Sequence, residues 1–158
     1  MILYHGSNVE IFDIDLSMSK PYKDFGRAFY LSADKKQAEA LAEATVARTG
    51  KGVCTISSFS FDESLMEAST LNVKTFNGYS EEWAEFIYKN RDENQKFDHD
   101  YDIVYGPIAD DYIGLQIREF RRHMISFDEF ITRIRYHKGE TYQYAFCTSM
   151  SISKLIRI

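Results

Sequence analysis

The sequence predicts an α+β fold. Short strand-like runs and helical runs occur in mixed order, and the strands are not each followed by the crossover helix that a doubly wound parallel sheet requires. A length of 158 residues fits one domain, taken as 1–158, with room for one core and not for two. Hydrophobic content of 44% beside 27% charged residues is that of an ordinary globular chain.

Taken in order, Ile2–His5 reads as a strand ended by the turn chemistry of Gly6, Ser7 and Asn8. The stretch from Val9 to Lys23 has weak alternation and Pro21, the marks of an irregular excursion. Asp24–Ser32 (DFGRAFYLS) then turns at Gly26 and enters a second strand, Ala28 to Leu31, with Ser32 as a helix N-cap. Ala38, Leu41, Ala42, Thr45 and Val46 fall on one face of the helix that follows, and Thr49-Gly50-Lys51-Gly52 stops it.

Val53–Phe61 alternates polar with apolar residues, a strand with one face in the core. Asp62–Asn77 has little period beyond a short helical turn. Ser80 caps a helix running to about Lys89 with Trp83, Phe86 and Ile87 on one face, and Asn90–Asp100 reads as a charged loop with nothing to bury. Tyr101–Tyr105 is a strand that Gly106-Pro107 breaks. Helical spacing from Ala109 to Met124 precedes a second helix, for which Ser126 and Glu129 form a capping box. Thr141–Thr148 is a strand, and the apolar tail after it is placed to add an edge strand.

The charge of −5 argues against binding nucleic acid by phosphate neutralisation. Cys54 and Cys147 lack any CxxC spacing, so neither a disulfide framework nor a zinc site is signalled. The start MILYHGS has no basic region before an apolar core, and no run reaches the length of a membrane span; a soluble, cytoplasmic protein is expected. The acidic group Asp98, His99, Asp100 and Asp102 has no ligand spacing, and no metal is expected.

Four motifs in order, YHGS, DFGRAFYLS with a helix behind it, YDIVYGPIADD and QYAFCT, resemble a family of bacterial ADP-ribosyltransferase-like domains of largely unassigned function. More distantly the chain is similar to the His-Tyr-Glu branch, which includes the diphtheria-toxin and poly(ADP-ribose) polymerase catalytic domains. The resemblance covers nearly the whole chain and implies a split β-sandwich with flanking helices that binds NAD, the ADP-ribose donor, between two small sheets. It implies that His5 bonds the adenosine ribose, that the backbone of Gly6, followed by Ser7, holds the nicotinamide carboxamide, and that Tyr30 stacks on the nicotinamide ring. Leu41 stands where the family usually has a second aromatic. Arg27 is placed to reach the pyrophosphate, with a solvated loop arginine as the alternative.

Gln143 matches the third catalytic place, a glutamate in that branch. A carboxylate about 4 Å from the developing ribose cation is worth roughly 4 kcal/mol at an effective dielectric of 20, on the order of a thousandfold in rate. Glutamine keeps the hydrogen bond without the charge. Glu140 cannot stand in, because three residues along a strand reverses the face. The expected function is therefore NAD-dependent mono-ADP-ribosyl transfer to a protein, nucleic-acid or small-molecule acceptor, with a toxin paired to a small antitoxin protein as the setting that the resemblance implies. The alternative is a catalytically silent module that binds NAD or ADP-ribose. Other readings remain open beside these: Tyr30 as a core tyrosine, Gln143 as a surface strand residue, Asp110 and Asp111 as helix caps, and Arg118, Arg121 and Arg122 as a solvated basic face.

Overall fold

A computed structural model describes residues 1–135, 137 and 139–158. It is a mixed α+β structure with two sheets and five α-helices among those residues. The strands are β1 (Ile2–Ser7), β2 (Phe29–Leu31), β3 (Thr55–Ser60), β4 (Val73–Thr75), β5 (Ile103–Pro107), β6 (Tyr142–Phe146) and β7 (Ile156–Arg157). The helices are α1 (Lys35–Thr49), α2 (Glu81–Arg91), α3 (Asp111–Arg121), α4 (Phe127–Arg135) and α5 (Ser149–Ile152). One sheet has the order β1-β3-β7, the other β2-β6-β5-β4.

The two sheets pack face to face. Leu3, Phe59 and Phe61 meet Phe29, Leu31, Ile103, Tyr144 and Phe146 in one apolar cluster. Edge-on ring pairs, Phe29 with Phe59 at 5.5 Å and Phe61 with Phe146 at 5.2 Å, cross between them. Alternation along β2, β5 and β6 turns Val104 and Ala145 the other way, into a second cluster with Phe25, Trp83, Ile87, Ile113, Ile117, Phe130 and Ile134 from the loop and the helices. The four-stranded sheet is thus buried on both faces, which is why its strands read as apolar runs.

Several boundaries differ from the sequence reading. β1 continues through Gly6 and Ser7, where a turn was expected, because both residues pair with β3 (Gly6 with Ile56, Ser7 with Thr55). Ser32 is not the N-cap of α1: its backbone bridges Tyr4 in both directions, so it is still extended. The cap is Asp34, whose carboxylate accepts from the Lys36 N–H. Gly106 and Pro107 lie inside β5, opposite Gln143 and Tyr142, and do not end it. β4 was not foreseen; it is a short edge strand parallel to β5 and carries no periodic apolar signal. The 90–100 segment does bury side chains, since Asn90 is 4% exposed and Phe97 and His99 stand against Phe86.

Other local expectations hold. Ser80 accepts from the Trp83 N–H, Asp110 caps α3 through the Ile113 N–H, and β7 adds an edge strand beside β3. Only half of the capping box at Ser126 forms: its hydroxyl accepts from the Glu129 N–H, while the Glu129 carboxylate turns to Arg133.

Candidate functional site

The site residues lie where the two sheets part. Tyr4 and Ser32 exchange both backbone hydrogen bonds, at 2.8 and 2.9 Å, which joins the start of β1 to the end of β2. By antiparallel alternation the next such pair would be Gly6 with Tyr30, and the strands do not pair there. Because Tyr4 spends its N–H and C=O on Ser32, the same alternation turns those of Gly6 away from β3, toward the opening. No hydrogen bond to either group is formed among the described residues. Among the described residues, then, the Gly6 N–H and C=O have no hydrogen-bond partner on the β2 side, although the residue itself is buried.

A side chain at Gly6 has no room. A Cβ built there would lie 1.8 Å from the Ala38 carbonyl oxygen of α1. Small residues on the helix permit this approach, and only Ala38 and Ala42 of α1 are buried. Leu41 is 50% exposed on that helix, so the face expected to carry it into the core carries the two alanines instead.

His5 fills the gap between β1 and β2. Its Nδ1 is 2.8 Å from the Tyr30 carbonyl oxygen, and its ring stacks on Phe29 with centroids 4.4 Å apart. A carbonyl only accepts, so the imidazole proton sits on Nδ1 and leaves Nε2 as an acceptor. Burial lowers the His5 pKa and the bond to Tyr30 opposes that shift only in part, so the ring is neutral at pH 7.

The Tyr30 hydroxyl is fully engaged. It donates to the Gly26 carbonyl at 2.7 Å and accepts from the Phe25 N–H at 3.1 Å. Burial, with the Asp24 carboxylate adding to it, raises the phenol well above its usual pKa. As far as the hydroxyl goes, Tyr30 is a satisfied core tyrosine tied to the loop before its own strand. Gly26 shapes that loop at φ +81, where a side chain is strained. His99 Nε2 donates to the Phe25 carbonyl at 2.8 Å, while its Nδ1 faces the Tyr101 N–H at 3.3 Å.

Gln143 and Tyr30 share one face of the four-stranded sheet. Tyr30 is opposite Ala145 on β6, and Gln143 lies two residues along, so their side chains point the same way. Both end on the same loop. The Gln143 Nε2 donates to Asp24 Oδ2 at 3.1 Å, and Asp24 precedes the Phe25 N–H and Gly26 carbonyl that hold Tyr30. Asp24 is 7% exposed and was not singled out in the sequence. Its Oδ2 also accepts from the Ala109 N–H at 2.9 Å and its Oδ1 from Arg91 Nε at 2.9 Å. A lone aspartate in a loop gives no local signal of such a role; the nearest hint was its place in the DFGR motif.

The expected residues are therefore brought together in part. Tyr30 and Gln143 converge on the 24–26 loop, and His5 joins them through the Tyr30 carbonyl. The His5 ring, however, packs on Phe29, whose side chain lies on the other face of β2 from the Tyr30 ring. Arg27 is exposed and bonds the Ser17 and Ser19 carbonyls, so it pins the preceding excursion. Ser7 is half-buried, with its hydroxyl directed at Asn8. Two surface depressions, one lined by Ile14, Leu16 and Ile152 and one by Glu81, Glu85 and Arg121, contain none of these residues.

Two of the remaining candidates have structural partners. The Asp102 carboxylate accepts from the Asn72 N–H and from Thr148, and Arg121 pairs with Glu85 at 3.0 Å. Cys147 is partly buried, and the burial of its sulfur pushes the thiol up to about 12 and makes it a poor nucleophile. No described helix is long and apolar enough to cross a membrane.

Neither the curated proteins nor the solved structures contain a match to this chain. One family model does match, over residues 1–156, and the chain accordingly belongs to DUF3990, described as a protein of unknown function.

Proposed function

We propose that this protein is an NAD-dependent mono-ADP-ribosyltransferase built on a split β-sandwich. The observation that carries the reading is the parting of β1 from β2 at Gly6. It leaves a backbone donor and acceptor facing the opening, the complement a primary carboxamide needs, with an imidazole acceptor and a tyrosine strand beside it. In the reaction the bond between ribose C1′ and the nicotinamide nitrogen breaks and nicotinamide leaves with the electron pair, neutral. An acceptor N–H or O–H nucleophile attacks C1′ and loses its proton.

His5 Nε2 accepts from an adenosine ribose hydroxyl, Gly6 holds the carboxamide, Tyr30 faces the nicotinamide ring and Gln143 accepts from the nicotinamide ribose. An amide there supplies no negative charge, which suits single transfer with help from the acceptor better than fast chain synthesis. The setting carried with this reading is an intracellular toxin restrained by a small antitoxin protein.

The test is release of free nicotinamide from NAD by purified protein, alone and with cell extract, with Tyr30→Ala as control. Turnover lost in the variant supports the site; turnover that survives it counts against the site. The rival reading, a silent module that binds NAD or ADP-ribose, is favoured by one observation: Leu41, where an aromatic lid would stand, is half-exposed and offers no π-face. A rise in melting temperature with NAD but no turnover under any condition selects the rival.

A further inference from the structure

Gln143 is an amide where the proposed chemistry asks for an acceptor, and an amide presents either its oxygen or its NH2. Which end faces the substrate decides whether the residue helps or hinders, because an NH2 turned to a ribose hydroxyl cannot take its proton. Asp24 fixes the orientation. A carboxylate only accepts, so the nitrogen of Gln143 must point at Asp24 and Oε1 must point away. Oε1 has no protein partner among the described residues, whereas all four donors around Asp24 are satisfied.

Asp24 itself cannot touch a substrate. Both of its oxygens are covered by Arg91, the Ala109 N–H and Gln143, and it is almost wholly buried. Arg91 is fixed in turn: its Nη2 bonds both Asp24 and the Ala109 carbonyl. The glycine at 114 belongs to the same arrangement, since a Cβ there would lie 2.3 Å from Arg91 Nη1. An ionised group hydrogen-bonded behind an amide also polarises it, leaving Oε1 more negative than in a free glutamine.

We infer that Asp24, held by Arg91, is a positioning residue that locks the Gln143 amide with its oxygen toward the bound ribose. This rests on the transferase reading above. The negative charge absent from position 143 lies one hydrogen bond behind it, and the Gln143 amide carries its influence forward.

The experiment compares wild type, Asp24→Asn and the double variant Asp24→Asn/Gln143→Glu for nicotinamide release from NAD. In Asp24→Asn the only side-chain acceptor is taken by Arg91, and the new NH2 turns the Gln143 oxygen inward. Loss of the oriented acceptor lowers kcat on the order of a hundredfold with KM for NAD little changed. In the double variant the carboxylate introduced at position 143 accepts from the amide introduced at position 24 and still offers an oxygen outward, so kcat recovers. A kcat for Asp24→Asn within about twofold of wild type overturns the inference while leaving the transferase reading intact. Wild-type protein that releases no nicotinamide overturns that reading, and the inference with it.

Because Asp24→Asn removes a buried charge, a readout on wild type accompanies it. The two Nε2 protons of Gln143, assigned by their loss in Gln143→Glu, should be well separated in shift and protected from exchange. Degenerate, freely exchanging protons show that the amide is not held, and overturn the inference without any variant at Asp24.

Discussion

Replacing Gln143 by glutamate sets a second carboxylate against Asp24. The new oxygen takes the place of an amide nitrogen now 3.1 Å from Asp24 Oδ2. Two unit charges at that distance repel by about 5 kcal/mol at an effective dielectric of 20. Arg91, already on Asp24, offsets part of this, and small movements of the pair offset more. The carboxyl introduced at position 143 then holds its proton above the ordinary glutamate value of about 4.3. For an acid whose folded pKa is raised, the folded state binds the extra proton. Relative stability is therefore greatest below the unfolded pKa and declines as pH rises through the folded one.

Melting temperature measured from pH 4 to 8 should thus show a deficit against wild type that is small at pH 4 and grows to its full size by about pH 7. Each pH unit by which that carboxyl is raised corresponds to about 1.4 kcal/mol. Nicotinamide release should move the opposite way over the same interval, because only the ionised form of the new carboxyl stabilises the ribose cation. A melting-temperature difference that stays constant across the whole range refutes the reasoning, since it means that Asp24 and position 143 do not sense each other's charge.

Three further outcomes are expected. Tyr30→Phe removes a hydroxyl that serves both the Phe25 N–H and the Gly26 carbonyl, at a cost of about 1 to 3 kcal/mol in denaturant unfolding. Gly6→Ala drives a methyl into the Ala38 carbonyl; a backbone atom cannot rotate aside, so the cost lies at or above the upper end of the roughly 1 to 3 kcal/mol typical of overpacking, read as a large fall in melting temperature. His5 has a folded pKa lowered by burial, so its contribution is complete above the unfolded value of about 6.5 and is lost as pH falls below it. His5→Gln should flatten the melting curve between about pH 5 and 7, and an unchanged slope there counts against a buried neutral imidazole.

Much of the fold was legible because it is local. The period-2 run around Val53–Phe61 yielded β3, and the apolar runs YDIVY and YQYAF yielded β5 and β6. Ser80 and Asp110 sit before helical spacing and do cap it. Short or compositionally plain elements were not legible: β4 is three residues of mixed polarity and exists because the edge of β5 is there to pair with. Gly6 and Ser7 looked like a turn because glycine and serine favour turns, and the β3 ladder overrode that preference.

At the candidate site, identities and alternation could be read from the chain alone: an imidazole at the end of one strand, a phenol on another, an amide on a third, and a glycine where backbone approach is close. What each of them bonds to emerged only with the packing. Asp24 and Gln143 are 119 residues apart and meet through the pairing of β2 with β6 and the loop before β2. Gly6 is required by the Ala38 carbonyl of α1, Leu41 is left at the surface, and Arg27 is spent on the loop at Ser17. The reason is physical: periodicity records which face of an element is buried, whereas a hydrogen bond between distant segments is set by strand register and helix docking, neither of which leaves a local mark in the chain.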